Sequence, residues 1–408
     1  MISVLNHLRR LSGNKYIILV LAGLCLTACS RKVRPGKTKV TEEVKKEEVK
    51  PVKKFTQASV ALLVPFKLNE FKATPANKLS IERYSMAIDF YQGFKMGIDS
   101  AASAGLNFKL QVFDTRDDNT RIENLIRNNS LLQSNLIVGP VFPDGQKYIA
   151  AYAAKNDLTI VSPLAASQPS EFGNPNLVSI VNNIDLHAGK IGNYISRRYN
   201  PENTVVVLIS TKKEADEILG APLRTYFQSE KGKKFKFEEY ASAFSLETKA
   251  SKAKKYAILL SSSDRPFVAA TIDKLLKMQK AGFNIDLFGH PDWVKQNYTT
   301  EKLQALNTIV TSSYKVNYKS PAVIDFIRKY RTAYNFEPSE YAFKGFDIGY
   351  FFGHLLGEHG ESYRKYLTKE KYKGLHNSFS FIYDDQNGYI NTSLMLLKYK
   401  DYTLNSIE

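Results

Sequence analysis

Beyond residue 29 the sequence has no cysteine; its only two are Cys25 and Cys29. The body of the chain therefore has no disulfide, no thiolate metal site and no cysteine nucleophile. The common catalytic and nucleotide signatures are missing as well. There is no Gly-x-x-x-x-Gly-Lys loop, no Gly-x-Ser-x-Gly elbow and no His-Glu-x-x-His pair. His354, Glu358 and His359 come near a zinc signature, but the spacing is one residue too long, and on a helix 359 turns away from the face shared by 354 and 358. Asp114, Asp117 and Asp118 do not follow the EF-hand spacing and suit a turn and a helix cap. Neither an enzyme nor a cofactor nor a metal is called for. Tryptophan occurs once, as Trp293.

The amino terminus accounts for both cysteines. Arg9, Arg10 and Lys15 precede an apolar run at 16–24, too short to span a membrane, as in an export signal. Leu26-Thr27-Ala28-Cys29 resembles the lipobox of bacterial lipoproteins. The resemblance implies a signal peptide at 1–28 and membrane attachment through acyl chains on Cys29. Ser30 in place of aspartate leans to the outer membrane, with the body facing the periplasm. Residues 29–57, rich in Lys, Glu, Val and Thr, read as a charged tether. The formal charge is +17, and residues 1–57 supply more than half of it. An exported protein with its excess charge in a tether is not expected to bind nucleic acid.

With 43% apolar residues, the remainder can bury sizeable cores. Its pattern is strand–helix alternation with short connections. The unit at 136–170 shows it twice: Leu136-Ile137-Val138 runs into Gly139-Pro140-Val141-Phe142-Pro143-Asp144-Gly145, a helix-like segment follows, and Leu158-Thr159-Ile160-Val161 runs into Ser162-Pro163-Leu164-Ala165-Ala166-Ser167. Apolar runs without alternation predict buried parallel strands, whose carboxyl ends open onto a ligand crevice. Upstream lie a strand at 59–66, a helix at 84–104 bearing Gly93 and Gly97, where a close helix–sheet approach is expected, and a strand at 108–113. The pattern restarts near 204, giving an α/β chain of two similar lobes. Tyr389 to Leu397 pairs with the run at 379–383 around Asp384-Asp385-Gln386-Asn387-Gly388, a strong hairpin signal.

In order, these parts resemble the type I periplasmic-binding family, which includes the leucine/isoleucine/valine-binding proteins of ABC importers. The resemblance rests on Tyr91, Gly93 and Gly97, Asp114, the 136–141 and 160–163 runs, Leu287-Phe288-Gly289, Phe326, Tyr330, Tyr334, Pro338, the stretch 341–347, and the final hairpin. It implies two Rossmann-like lobes joined by a hinge of three crossings, with a ligand held between them. By that pattern lobe one is 58–186 with 313–373, lobe two is 187–312 with 374–408, and Tyr314 sits near a crossing.

The cleft candidates follow from the turns. The first, at 140–145, offers Phe142, Asp144 and Gly145; the second offers Ser162, Ala166 and Ser167. Phe66, Trp293 and Tyr314 add aromatic surface, and His290 stands beside Trp293 at a strand end. Lobe two contributes Ser210 and Thr211, then Ser261 and Asp264, hydroxyl and acid clusters that also suit helix capping. A first turn without hydroxyls makes a poor amino-acid hook. Two functions are compatible with this reading. One is a solute-binding protein closing on a small polar ligand, as receptor for an ABC permease. The other is an interaction protein regulating cell-wall synthesis, resembling activators of penicillin-binding proteins, with a wall synthase as partner.

Overall fold

The computed structural model describes residues 55–68, 78–103 and 105–408. The signal segment, Cys29 and the tether as far as residue 54 lie outside the described residues. Ordered structure begins inside the expected tether. Phe55 packs on the first core and against Gly360, and strand β1 starts at Gln57. Apolar burial sets that boundary: from Ala58 to Val64 every residue but Ser59 is fully buried.

Two sheets organise the chain. The first is built on β1 (Gln57–Val64), β2 (Asn107–Asp114), β3 (Leu136–Val138), β4 (Ile160–Ser162) and β5 (Leu177–Ser179), in the order β5-β4-β3-β1-β2 and all parallel. The second is built on β6 (Thr204–Ile209), β7 (Lys236–Tyr240), β8 (Lys255–Leu260), β9 (Asn284–Phe288) and β10 (Ile309–Ser312), in the order β10-β9-β8-β6-β7. Both follow the doubly wound pattern, with short apolar inner strands buried by helices and partly exposed edge strands at β2 and β7. The expected architecture of two Rossmann-like lobes is the one observed.

The carboxyl-terminal boundary differs from expectation. β11 (Lys371–Lys373), β12 (Ser378–Asp384) and β13 (Gly388–Asn391) extend the first sheet, with β13 parallel to β5. Only β14 (Met395–Lys400) and β15 (Thr403–Ser406) belong to the second sheet, β14 antiparallel to β10. The hairpin across Asp384–Gly388 is present, with the Asp384 carboxylate accepting from the backbone of Gln386 and Asn387. It belongs to lobe one, however, and the apolar run expected at 389–397 breaks at 392–394, where the chain passes to the other sheet. Alternation alone could not show this break, because both halves are half-buried strands.

The glycines of the first long helix, Lys78–Ala102, serve a helix rather than a sheet. A Cβ at Gly93 would lie 1.9 Å from Ala342 O, and one at Gly97 2.4 Å from Phe346 O. The opposing helix, Glu340–His359, answers with its own glycines: a Cβ at Gly345 would meet Phe90 O at 2.2 Å, and one at Gly349 would meet Phe94 O at 2.4 Å. Small residues on both helices thus bring backbone against backbone, and Phe90, Phe94, Phe351 and Phe352 fill the core around the contact. We expect Gly93→Ala or Gly345→Ala to force the helices apart and destabilise the fold by about 1–3 kcal/mol or more. Gly357→Ala, on the same helix with nothing within 4 Å of its added carbon, should be neutral or stabilising. Thermal melts of the three variants check this, and equal effects at all three positions would disprove it.

Candidate functional site

Three segments cross between the sheets: 180–183, 313–315 and 392–394. Side-chain amides tie them together. Asn182 Nδ2 donates to Asn391 O at 2.6 Å, and Asn391 Nδ2 donates to Ile180 O at 2.9 Å and Ser378 O at 3.0 Å. The Asn391 side-chain oxygen accepts from Ser380 N and Ser393 N. The middle crossing is held by an isolated bridge between Tyr314 and Asn377. The loop that supplies Asn377 is fixed from below by Asp347, whose fully buried carboxylate accepts from the backbone of Leu375, His376 and Asn377 and from the Tyr372 hydroxyl. Burial pushes this carboxyl up to about 6, against the four hydrogen bonds that favour its ionised form.

In front of the crossings lies a cavity of about 710 Å³, a size suited to a small molecule. Lobe one lines it with the turn at 164–168 and Glu171; lobe two lines it with Ser263, His290, Asp292, Lys295 and, from one helix, Ala215 and Ile218. The hinge side consists of Asn182, Asp185, His187 and the stretch 311–314.

Four sequence candidates line this cavity: Ala166, Ser167, His290 and Tyr314. The other ten do not line it, and most are held by contacts within their own lobe. The first turn is folded back onto its own lobe, because Gln146 donates to Pro140 O at 2.5 Å and Gly145 packs against Pro140 and Ile122. Phe142 consequently packs on the lobe-one core, and Asp144 is exposed. Phe66 sits edge-on to Tyr91 at 5.8 Å. Ser162 is buried at the end of β4, with no hydrogen-bond partner for its hydroxyl. Ser210 donates to Glu217, Thr211 donates to Asp216, Ser261 donates to Ile209 O, and Asp264 caps the helix Arg265–Lys280. Trp293 is fully buried in the second core, with its indole N–H on Ser262 O at 3.0 Å. A lone tryptophan at a strand end looks like cleft surface in sequence, but a hydrogen-bonded indole fits a core equally well.

Sequence reasoning missed the charged and amide groups. Lys295 from lobe two lies 3.3 Å from Glu340, and Lys344, one turn further along the Glu340 helix, lies 2.9 Å from the same carboxylate. Both ammonium groups stand over the Tyr314 ring, at 5.3 and 4.3 Å. Burial works against the Lys295 charge, yet Tyr314 and Glu340 hold it above its ordinary range. For Lys344 burial prevails and lowers it, despite Glu340. The spacing of Glu340 and Lys344, four apart on a helix, was the available signal.

The two cleft histidines are neutral. Burial, with the adjacent His290, pushes His187 down to about 3, and its Nδ1 lies 2.8 Å from Thr311 Oγ1. Burial also lowers His290, against Asp292 and Asp216. Since His290 Nδ1 accepts from Asp292 N at 3.1 Å, its proton is on Nε2, a donor available to the cavity. The Asn182 side-chain oxygen is buried with no hydrogen-bond partner, and it stands on the hinge side of the same space.

Two measurements follow from these placements. The unfolded chain protonates a histidine below about pH 6.5 and the folded His187 does not. Stability is therefore full above that pH and falls as the pH drops towards 3, by up to about 1.4 kcal/mol per pH unit. We expect His187→Gln to flatten the acid dependence of the unfolding midpoint between pH 6.5 and 4.5; an unchanged slope would show that the imidazole is not buried neutral. We also expect Trp293 emission to be blue-shifted and protected from iodide in the native protein, whereas efficient quenching would place the indole at the surface.

No protein-family model and no curated protein matches the chain. Solved structures do. A protein from Rhodospirillum rubrum assigned to branched-chain amino acid ABC transport superposes with a TM-score of 0.61 at 14% identity, covering 86% of this chain and 99% of that one. The C-domain of LpoA (YraM) from Haemophilus influenzae, a regulator of PBP1A, gives 0.57 at 14% identity, covering 86% and 100%. An ABC transporter substrate-binding protein from Desulfitobacterium hafniense in complex with Leu gives 0.52 at 14% identity, again covering 86% and 100%. Together with the two sheets and three crossings, these likenesses define the type I periplasmic-binding fold.

Proposed function

We propose that this chain is a non-enzymatic binding protein that closes its two lobes on a small polar ligand. The observation that carries the reading is the cavity of about 710 Å³ lined by both lobes and by the segments that join them. The His290 Nε2–H supplies a donor, Ser167 a hydroxyl, and Tyr314 an aromatic face. The paired charges Lys295 and Glu340 span the lobes, so a closed cleft is reinforced by an ion pair as well as by the ligand. Closure requires the ligand to bind the closed state better than the open one, and groups drawn from both lobes meet that condition.

The chain is anchored, on this reading, by acyl chains on Cys29 in the outer membrane and faces the periplasm. There it would serve as receptor for an ABC permease. A second reading is favoured by the seating of the first lobe-one turn. With Pro140 to Gly145 folded away from the cavity, the amino-acid hook of the importer receptors has no counterpart there. The same fold then serves as a regulator of cell-wall synthesis, with a wall synthase as partner.

Thermal denaturation against amino acids, peptides, sugars and wall fragments separates the two. A small ligand should raise the melting temperature with the logarithm of its excess over Kd, and His290→Ala should weaken it about tenfold, one hydrogen bond's worth. A flat response to every solute, together with capture of a wall synthase, would favour the regulator. Cys29→Ala should fold normally and leave the membrane fraction; retention there would refute the anchor.

A further inference from the structure

A second cavity, of about 850 Å³, opens on the opposite side of the hinge. The two spaces share one wall. Tyr314 lines the front cleft and His376 lines the rear groove, and their rings are stacked at 4.6 Å and 10°. The chain alternates across this wall, as an extended segment must: Tyr314 faces the front, and Lys315 lines the rear.

The rear groove is half-buried, with one wall of aromatic and thioether side chains and a polar rim. Lobe one supplies Met96, Phe346, Tyr350 and Tyr372, and lobe two supplies Met395. Its charge is net positive, with Lys315, Lys329 and Lys373 against Asp325. Lys329 is matched by Asp325 at 2.9 Å and Lys315 donates to Leu404 O, whereas Lys373 has no acidic partner among the described residues. Lys373 is fully at the rim, on an exposed strand position. A concave aromatic wall with net positive charge and an uncompensated ammonium group at its edge is the complement of an apolar anion.

We propose that this rear groove is a second binding site, separate from the interlobe cleft, for a small apolar anion with an aromatic body and a carboxylate or sulfonate end. Because both lobes contribute to the groove, its occupant spans the hinge. The Tyr314–His376 stack and the Asp347–Tyr372 hydrogen bond at 3.1 Å connect it directly to the segments that set the lobe angle.

The test uses 1-anilinonaphthalene-8-sulfonate, an apolar aromatic anion, with the folded protein at neutral pH. We expect saturable fluorescence enhancement with one site per chain. Ser100→Trp fills the rear groove from an exposed helix position and should abolish binding, while Ala166→Trp fills the front cleft and should leave it intact. Lys373→Glu should weaken the dye about fivefold, the scale of one exposed charge. No binding by the folded protein overturns the proposal. So does binding lost in Ala166→Trp, or binding indifferent to both Ser100→Trp and Lys373→Glu. Melting temperatures at the wild-type value establish that each variant is folded, and the result is independent of whether the front cleft takes a ligand.

Discussion

The contact between the helices Lys78–Ala102 and Glu340–His359 is what the rest of the molecule depends on. Glycines at 93, 97, 345 and 349 remove the side chains that would hold the two backbones apart, so the second helix is fixed in rotation as well as in distance. Each of its other faces then has one task. Glu340 and Lys344 reach the front cleft, Asp347 reaches the hinge loop, and Phe346 and Tyr350 form the rear groove. A helix free to roll would misplace all three sets at once. Small-residue helix contacts of this kind are familiar in membranes. Here, among the described residues, no helix is long and apolar enough to cross one, and the contact is instead buried under phenylalanines.

The front cleft derives its polarity from imidazoles that burial keeps uncharged and from two ammonium groups gathered on one carboxylate. His187 and His290 are neutral because the surrounding protein cannot solvate an imidazolium. Lys295 and Lys344 share one carboxylate with an aromatic face beneath them. Charged and neutral polar groups of both lobes thus meet in one partly desolvated space, a setting in which a hydrogen bond is stronger than in water and an unpaired polar group is costly.

The fold was legible in the sequence because its signals are local. The runs at 136–138 and 204–209 are strands at those residues, and the helices 184–198, 265–280 and 321–334 end where their apolar stripes end. The capping reading of Asp264 and Asp118 held for the same reason. The site was less legible, since a strand-end residue can face the ligand or its own lobe. Phe142 and Ser167 follow consecutive strands in similar turns, yet Gln146, holding Pro140 O, turns the first inwards. Trp293 and Lys295 are two residues apart, one sealed in a core and the other in the cleft. Long-range contacts decide such cases, and so they decided the hinge as well: nothing local marks 392–394 as the place where the chain changes sheets.

The chain enters the fold through lobe one. β1 lies one strand in from the edge of that sheet, between β3 and β2, and Phe55 is seated on Gly360 of the same lobe. Whatever restrains the residues upstream therefore acts on lobe one directly, and on lobe two only across the three crossings. A partner docked on lobe one would see a nearly stationary surface, while one touching both lobes would feel the hinge angle as a change in its own footprint. Of the two surfaces, only the second can carry news of occupancy.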